Sequence, residues 1–136
     1  MLLALMFVMN AYALGPIPNG TYKGTETCVG MGSFPTQIVI TDTVMEWDGQ
    51  RNSFTIDANG FFEMKTLNGM PGVAMGHMTS DGMHYEAKFD FRKKGEKKPK
   101  WAPGEDTFTY RDGKLILEAS ASGKTGRIEC TGEFSK

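Results

Sequence analysis

Met70–His84 (M-P-G-V-A-M-G-H-M-T-S-D-G-M-H) gathers four of the ten methionines and both histidines of a 136-residue chain. Thioether sulfur and imidazole nitrogen are soft to intermediate ligands that suit Cu(I). A turn at Asp81-Gly82 predicts that Met75, His77 and His84 share one face of a hairpin, with Met78 and Met83 on the other. Met75, His77 and His84 are therefore the candidate metal ligands, on the solvent side, and copper is the one cofactor the sequence suggests. The plainer reading is methionine as core filler, and two histidines meet no zinc-site spacing.

Other fragments of catalytic motifs fail on their neighbours. Ser122-Gly123-Lys124-Thr125 ends like a phosphate-binding loop, but Glu118 stands where the first glycine is required and a strand follows. There is no Gly-x-Ser-x-Gly elbow, and no nucleophile at fixed spacing from His77 or His84. Asp57-x-Asn59-Gly60 matches only part of a calcium loop. Asn19-Gly20-Thr21 is a glycosylation sequon, meaningful only in a eukaryotic secretory pathway. The expectation is a protein that is not an enzyme.

Met1–Met9 (M-L-L-A-L-M-F-V-M) is apolar, and Ala11-Tyr12-Ala13 supplies the small-x-small pattern of a cleavage site. Residues 1–13 are thus expected to be a cleaved signal peptide and 14–136 a single domain. The apolar run is too short to span a bilayer, so no transmembrane segment is expected once the leader is removed. Export places the mature chain in the periplasm or outside the cell. There the isolated pair Cys28 and Cys130 reads most simply as one disulfide. Closing a loop of about 100 residues stabilises the fold by roughly 4–5 kcal/mol in the chain-entropy treatment.

Positioning falls to strands. Six Asx-Gly pairs punctuate the chain: Asn19-Gly20, Asp48-Gly49, Asn59-Gly60, Asn68-Gly69, Asp81-Gly82 and Asp112-Gly113. Asx-Gly tolerates the positive φ that tight hairpins demand. Strands are expected near Thr21–Cys28, Thr36–Thr41, Val44–Trp47, Ser53–Asp57, Phe61–Leu67, Val73–Thr79, Met83–Phe91, Thr107–Arg111, Lys114–Ala121 and Arg127–Phe134. The clearest is Met83–Phe91, with Met83, Tyr85, Ala87, Phe89 and Phe91 on one face and His84, Glu86, Lys88 and Asp90 on the other. The fold class is all-β, an antiparallel up-and-down meander of eight to ten strands closed into a small barrel. If Cys28 stands opposite Cys130 on paired first and last strands, Gly24 faces Phe134 and Glu26 faces Gly132.

The net charge of −1 argues against a nucleic-acid partner. Six of the fifteen basic residues nevertheless fall in one run: Arg92, Lys93, Lys94, Lys97, Lys98 and Lys100. With Trp101-Ala102-Pro103-Gly104 this run reads as a long loop, because Pro99 and Pro103 disfavour regular pairing. A basic loop beside Trp101 suits contact with an anionic envelope surface; a solvated loop that protects strand edges is the simpler reading.

Gly20-Thr21-Tyr22 opens the first predicted strand, and Arg127 lies on the last. In these residues the chain resembles the lipocalin-like (calycin) barrels, which begin with Gly-x-Trp and pack an Arg of the last strand over that aromatic. The resemblance implies a cavity or barrel mouth that holds a small apolar molecule or lipid. Tyr22, Glu26, Tyr85, Phe89 and Phe91 are the candidate ligand-binding residues. Glu26 either anchors a polar group of the ligand or lies at the open rim, the rim being the simpler reading. The favoured function is an exported, non-enzymatic binding module. The alternatives are periplasmic copper binding at the Met/His hairpin, and a protein-interaction or inhibitor domain of the cell envelope.

Overall fold

The computed structural model describes residues 14–68, 71–90, 92, 94–123 and 126–136. The expected leader, together with Phe91 and Lys93, lies outside the described residues. Ten strands follow in chain order: β1 Gly20–Cys28, β2 Gly32–Thr41, β3 Val44–Trp47, β4 Gln50–Ile56, β5 Phe61–Thr66, β6 Gly72–Met78, β7 Gly82–Asp90, β8 Trp101–Arg111, β9 Lys114–Gly123 and β10 Gly126–Ser135. Each is antiparallel to the next, and β10 returns to pair with β1, closing a ten-stranded up-and-down barrel. The seam has the expected register: Cys28 faces Cys130, Glu26 faces Gly132 and Gly24 faces Phe134.

Period-two alternation puts Tyr22, Ile38, Ile40, Met45, Phe54, Phe62, Met64, Met83, Phe108, Leu115, Leu117 and Phe134 inside, each at most 3 % exposed. Outward positions carry many charged groups, such as Glu63, Lys65, Glu86 and Lys88. This is the reverse of a membrane barrel, whose outer wall is apolar and whose lumen is polar. Among the described residues, no helix is long and apolar enough to cross a membrane.

The two ends differ. At one end Leu14 and Ile17 form a short bridged turn, are completely buried and join the core. The Tyr22 hydroxyl donates to the Pro18 carbonyl at 2.7 Å, tying this plug to β1. The β2–β3, β4–β5, β6–β7 and β8–β9 turns lie at the same end. The opposite end carries the β1–β2, β3–β4, β5–β6, β7–β8 and β9–β10 connections, and its interior is open.

Two of the Asx-Gly pairs are two-residue hairpin turns: Asp48-Gly49 has φ +48° and +83°, and Asp112-Gly113 has +53° and +77°. A third such turn, Asp42-Thr43, carries no glycine; Asp42 takes φ +53°, held by an exchange of hydrogen bonds with the Asn19 side chain. Asp81-Gly82 is a correction. The β6–β7 turn is centred on Ser80 and Asp81, with Thr79 donating to the Gly82 carbonyl. Gly82 is extended within β7, where a Cβ would strike the Phe108 carbonyl. Its missing side chain serves strand approach rather than the turn. The parity is unchanged, since His77 still faces His84 and Met78 faces Met83.

The reading of Trp101–Gly104 as loop is also corrected. β8 begins at Trp101, and Pro103 pairs with Lys88 of β7. Pairing with β9 starts only at Gly104, so Pro103 sits on an edge on that side. Pro35 in β2 repeats the pattern: it pairs with Thr25 of β1, while β3 joins only at Ile38. A proline is admitted to a strand wherever one ladder is absent.

Candidate functional site

The interior of the open end is a chamber of 310 Å³. β1 supplies Glu26, β3 Trp47, β4 Gln50 and Asn52, β7 Tyr85 and Phe89, β8 Gly104 and Asp106, and β9 Ala119, Ser120 and Ala121; Ile128 and Cys130 of β10 complete the described wall. The Cys28–Cys130 disulfide is formed and closes the seam at this level. Such a bond belongs to an oxidising, extracytoplasmic compartment. The chamber floor is aromatic. Tyr85 stacks on buried Phe108 and meets Phe54 and Phe62 edge to face, and Trp47 packs edge to face on Phe108.

Three buried side chains present oxygen acceptors to this chamber. Glu26 is 6 % exposed, Asp106 8 % and Asn52 6 %. Glu26 therefore lies inside the barrel rather than at its rim. Thr36 donates to Glu26 Oε2 at 3.3 Å. Burial raises the Glu26 pKa, with Thr36 and the Trp47 indole opposing and Asp48 adding to the rise. Burial also pushes Asp106 up to about 6, against the hydrogen bond from the Tyr85 hydroxyl and with the help of Glu26 and Glu105. Tyr85 is in turn held in its protonated form by burial and by Asp106. The Oδ1 of Asn52 is buried and has no hydrogen-bond partner among the described residues. Among the described residues, none lining the chamber is basic, and neither carboxylate has an ion-pair partner.

Glu26, Tyr85 and Phe89 thus meet in one place. Tyr22 is remote from them, completely buried in the plugged half. Arg127 does not pack over Tyr22: it is exposed at the open end, bonded to Ser120 and near Glu129. The cation over the Tyr22 ring is Lys136, at 5.7 Å. Asp106, Asn52 and Trp47 are site residues that the sequence reading did not single out. Glu26, Cys28 and Cys130 also cluster, but both sulfurs are committed to the disulfide.

The Met/His set lies on the outer wall as expected. His77 faces His84 with ring centroids 5.8 Å apart, and Met75 is two positions along the same face of β6, 68 % exposed. His84 is already engaged at both nitrogens, by Thr107 at 2.7 Å and Glu105 at 3.1 Å. His77 lies against Phe61. A wide groove of 720 Å³ crosses this wall from β5 to β10, with Val73 and Met75 as its apolar part between charged residues of both signs. It is larger than the chamber, but the polar groups that give it its charge are solvated, whereas the chamber's are buried.

The basic run is pinned at its start. Asp90, placed by parity on the wet face, is only 3 % exposed because the run folds over it. It accepts from the Arg92 and Lys100 amides and from the Arg92 guanidinium. Burial would raise the Asp90 pKa, but these donors lower it below the usual carboxylate value. Lys100 pairs with Glu96 at 2.8 Å. Lys94, Lys97 and Lys98 are exposed. Trp101 at 48 % exposure, with Val29, Met31 and Leu67, adds apolar surface at the same end of the barrel.

No family model and no curated protein matches the chain. Among solved structures it is similar to the isotype 1 transferrin binding protein B from serogroup B Neisseria meningitidis, with 15 % identity and a TM-score of 0.38. The match covers 86 % of this chain and 25 % of that one, so the chain spans about a quarter of that protein's length.

Proposed function

We propose that this protein is an exported, non-enzymatic binding module that takes a small molecule with an apolar body into the open end of its barrel. The observation that carries this reading is the chamber. Its 310 Å³ lies at the lower end of the range of about 300–1,000 Å³ typical of ligand sites. Its walls are mostly aromatic, aliphatic and disulfide surface, with a few convergent polar groups. The lipocalin-like reading is kept for the opening Gly20-Thr21-Tyr22 and for the cation over that tyrosine, although ten strands stand where lipocalins have eight. The compartment is the periplasm or the extracellular medium.

Titration with N-phenyl-1-naphthylamine, a neutral apolar fluorophore, tests the reading. Ala119 faces the chamber from β9 and borders the core, so Ala119→Phe fills the space from its own wall. Fluorescence enhancement in the wild type, lost in Ala119→Phe at an unchanged melting temperature, is the expected result. Equal enhancement in both proteins would remove the chamber from consideration.

A soft-metal site on the outer wall is the second reading, favoured by the direct pairing of His77 with His84. Cu(I) titration under reducing conditions, wild type against His77→Ala/His84→Ala, decides it. Equal and weak binding in both proteins ends it.

A further inference from the structure

Three of the chamber's buried side chains present oxygen acceptors, in a wall that also carries Gln50 and Ser120. Glu26 and Asp106 are two buried carboxylates on β1 and β8, and Asn52 on β4 adds a buried carbonyl oxygen with no partner. An unpartnered buried acceptor costs roughly 1–3 kcal/mol of desolvation, and two buried acids without a cation cost more. Hydrophobic or hydroxyl side chains at these positions would have closed the barrel at lower cost. The floor beneath them is aromatic: Tyr85, Trp47 and Phe108. An ammonium has three donors and a guanidinium five, neither has an acceptor, and both are attracted to aromatic faces.

We propose that the chamber is a site for a small organic cation, an ammonium or guanidinium group on an apolar body, held by Glu26, Asp106 and Asn52 Oδ1. The proposal rests on the reading of the chamber as the ligand site and names the chemistry of its occupant. In the ligand-free protein the two carboxylates oppose each other's ionisation across the chamber, and Asp48 and Glu105 add to the negative field. Among the described residues, Tyr85 is the only other titratable side chain in the wall apart from the disulfide-bonded Cys130, and it donates to Asp106. An incoming cation would favour both charged forms. It would release a proton from Asp106 near pH 6 and bind more weakly as the pH falls through that value.

The experiment compares matched probes by calorimetry at pH 7.5: 2-phenylethylamine, its neutral analogue 2-phenylethanol, and Nα-acetyl-lysine N-methylamide as a stand-in for a partner protein's lysine. The amine is expected to bind at least about tenfold more tightly than the alcohol, the scale of one charge-assisted hydrogen bond. In Glu26→Gln/Asp106→Asn this advantage should vanish while the alcohol's affinity holds. Should the double variant fail to fold, Asn52→Leu serves: it is expected to weaken the amine several-fold and leave the alcohol unchanged. Equal binding of amine and alcohol to the wild type would overturn the cation assignment and leave the apolar chamber standing. Binding of neither probe would overturn both. Tighter binding of the lysine derivative than of phenylethylamine would overturn the assignment to a free small molecule.

Discussion

Along several strands the inward positions change character from one end of the barrel to the other. On β9, Leu115 and Leu117 are completely buried, and Ala119 and Ala121 follow. On β8, Phe108 gives way to Asp106 and then Gly104; on β4, Phe54 gives way to Asn52; on β1, Tyr22 gives way to Glu26. The plugged half is filled by its own side chains. The open half, above an aromatic floor, takes small residues from β8 and β9 and acceptors from β1, β4 and β8. One continuous set of hydrogen-bonded ladders runs through both, so the backbone does not distinguish them. Side-chain volume and polarity do, and they confine the stabilising burial to one half and the candidate site to the other.

If that division holds, the open half should depend on its covalent tie and the plugged half on packing. Replacing both cysteines, Cys28→Ser/Cys130→Ser, removes a bond that closes a separation of 102 residues. It should cost about 4–5 kcal/mol in denaturant unfolding. Hydrogen exchange should rise first in the β1–β10 amides near the chamber. A uniform rise over the whole barrel would break the comparison. Phe108→Ala, in the packed half, should cost about 3–5 kcal/mol through the cavity it leaves. Folded Phe108→Ala protein should retain the chamber and bind N-phenyl-1-naphthylamine with only modestly reduced affinity, because Phe108 lies against Tyr85 and Trp47 and does not itself line the chamber.

Asp106→Asn should have the opposite sign. Its carboxyl pKa is raised from 3.8 to about 6 in the folded protein, so the folded state holds the proton more tightly than the unfolded one. The penalty for ionising it is fully present above pH 6 and disappears as the pH falls below 3.8. The variant should therefore be more stable than the wild type by about 2–3 kcal/mol at pH 7.5 and no more stable near pH 4. Ligand affinity should move the other way, falling with pH as Asp106 is protonated. Such opposed trends mark a group kept for binding at the expense of stability. Parallel trends would make Asp106 a structural residue.

The packed half was more legible in the sequence than the open one, for physical reasons. Alternation of large apolar and charged side chains, clearest in Met83–Phe91, places residues on faces strand by strand, and the Cys28–Cys130 pairing then fixed the closing register. Asp106 and Asn52 escaped because both stand just outside the boundaries read for their strands. Pro99 and Pro103 suggest a loop through Gly104, with the next strand expected from Thr107, and the expected fourth strand starts at Ser53. Extending the period of Phe108 or Phe54 by one step would have put Asp106 and Asn52 inside. The hollowness of the open end has no signature on any single strand. It arises because Ala121 arrives level with Gly104 on the neighbouring strand, with Ala119 two positions further in opposite Asp106, a coincidence only the register reveals. Asp90 shows the converse, since its parity is outward but a loop covers it.

The smallest expected effect concerns the rim of the open half. Of the basic residues described there, Arg92 is spent on Asp90 and Lys100 on Glu96. The charge presented to a partner then comes chiefly from Lys94, Lys97 and Lys98. Exposed Trp101, Val29, Met31 and Leu67 lie at the same end of the barrel, and basic with apolar surface is a mixture suited to an anionic interface. Lys94→Glu/Lys97→Glu/Lys98→Glu should leave stability within about 0.5 kcal/mol and leave chamber binding unchanged. Sedimentation with phosphatidylglycerol vesicles should drop to background, since each lysine near such a surface contributes about 1 kcal/mol. Wild-type binding should be abolished by 0.5 M salt, where screening over about a Debye length removes it. Vesicle binding that survives both the substitutions and the salt would place the contact on the apolar rim residues. The basic loop would then be a cover for Asp90 and the β7 and β8 strand ends, held there by the same hydrogen bonds that bury that carboxylate.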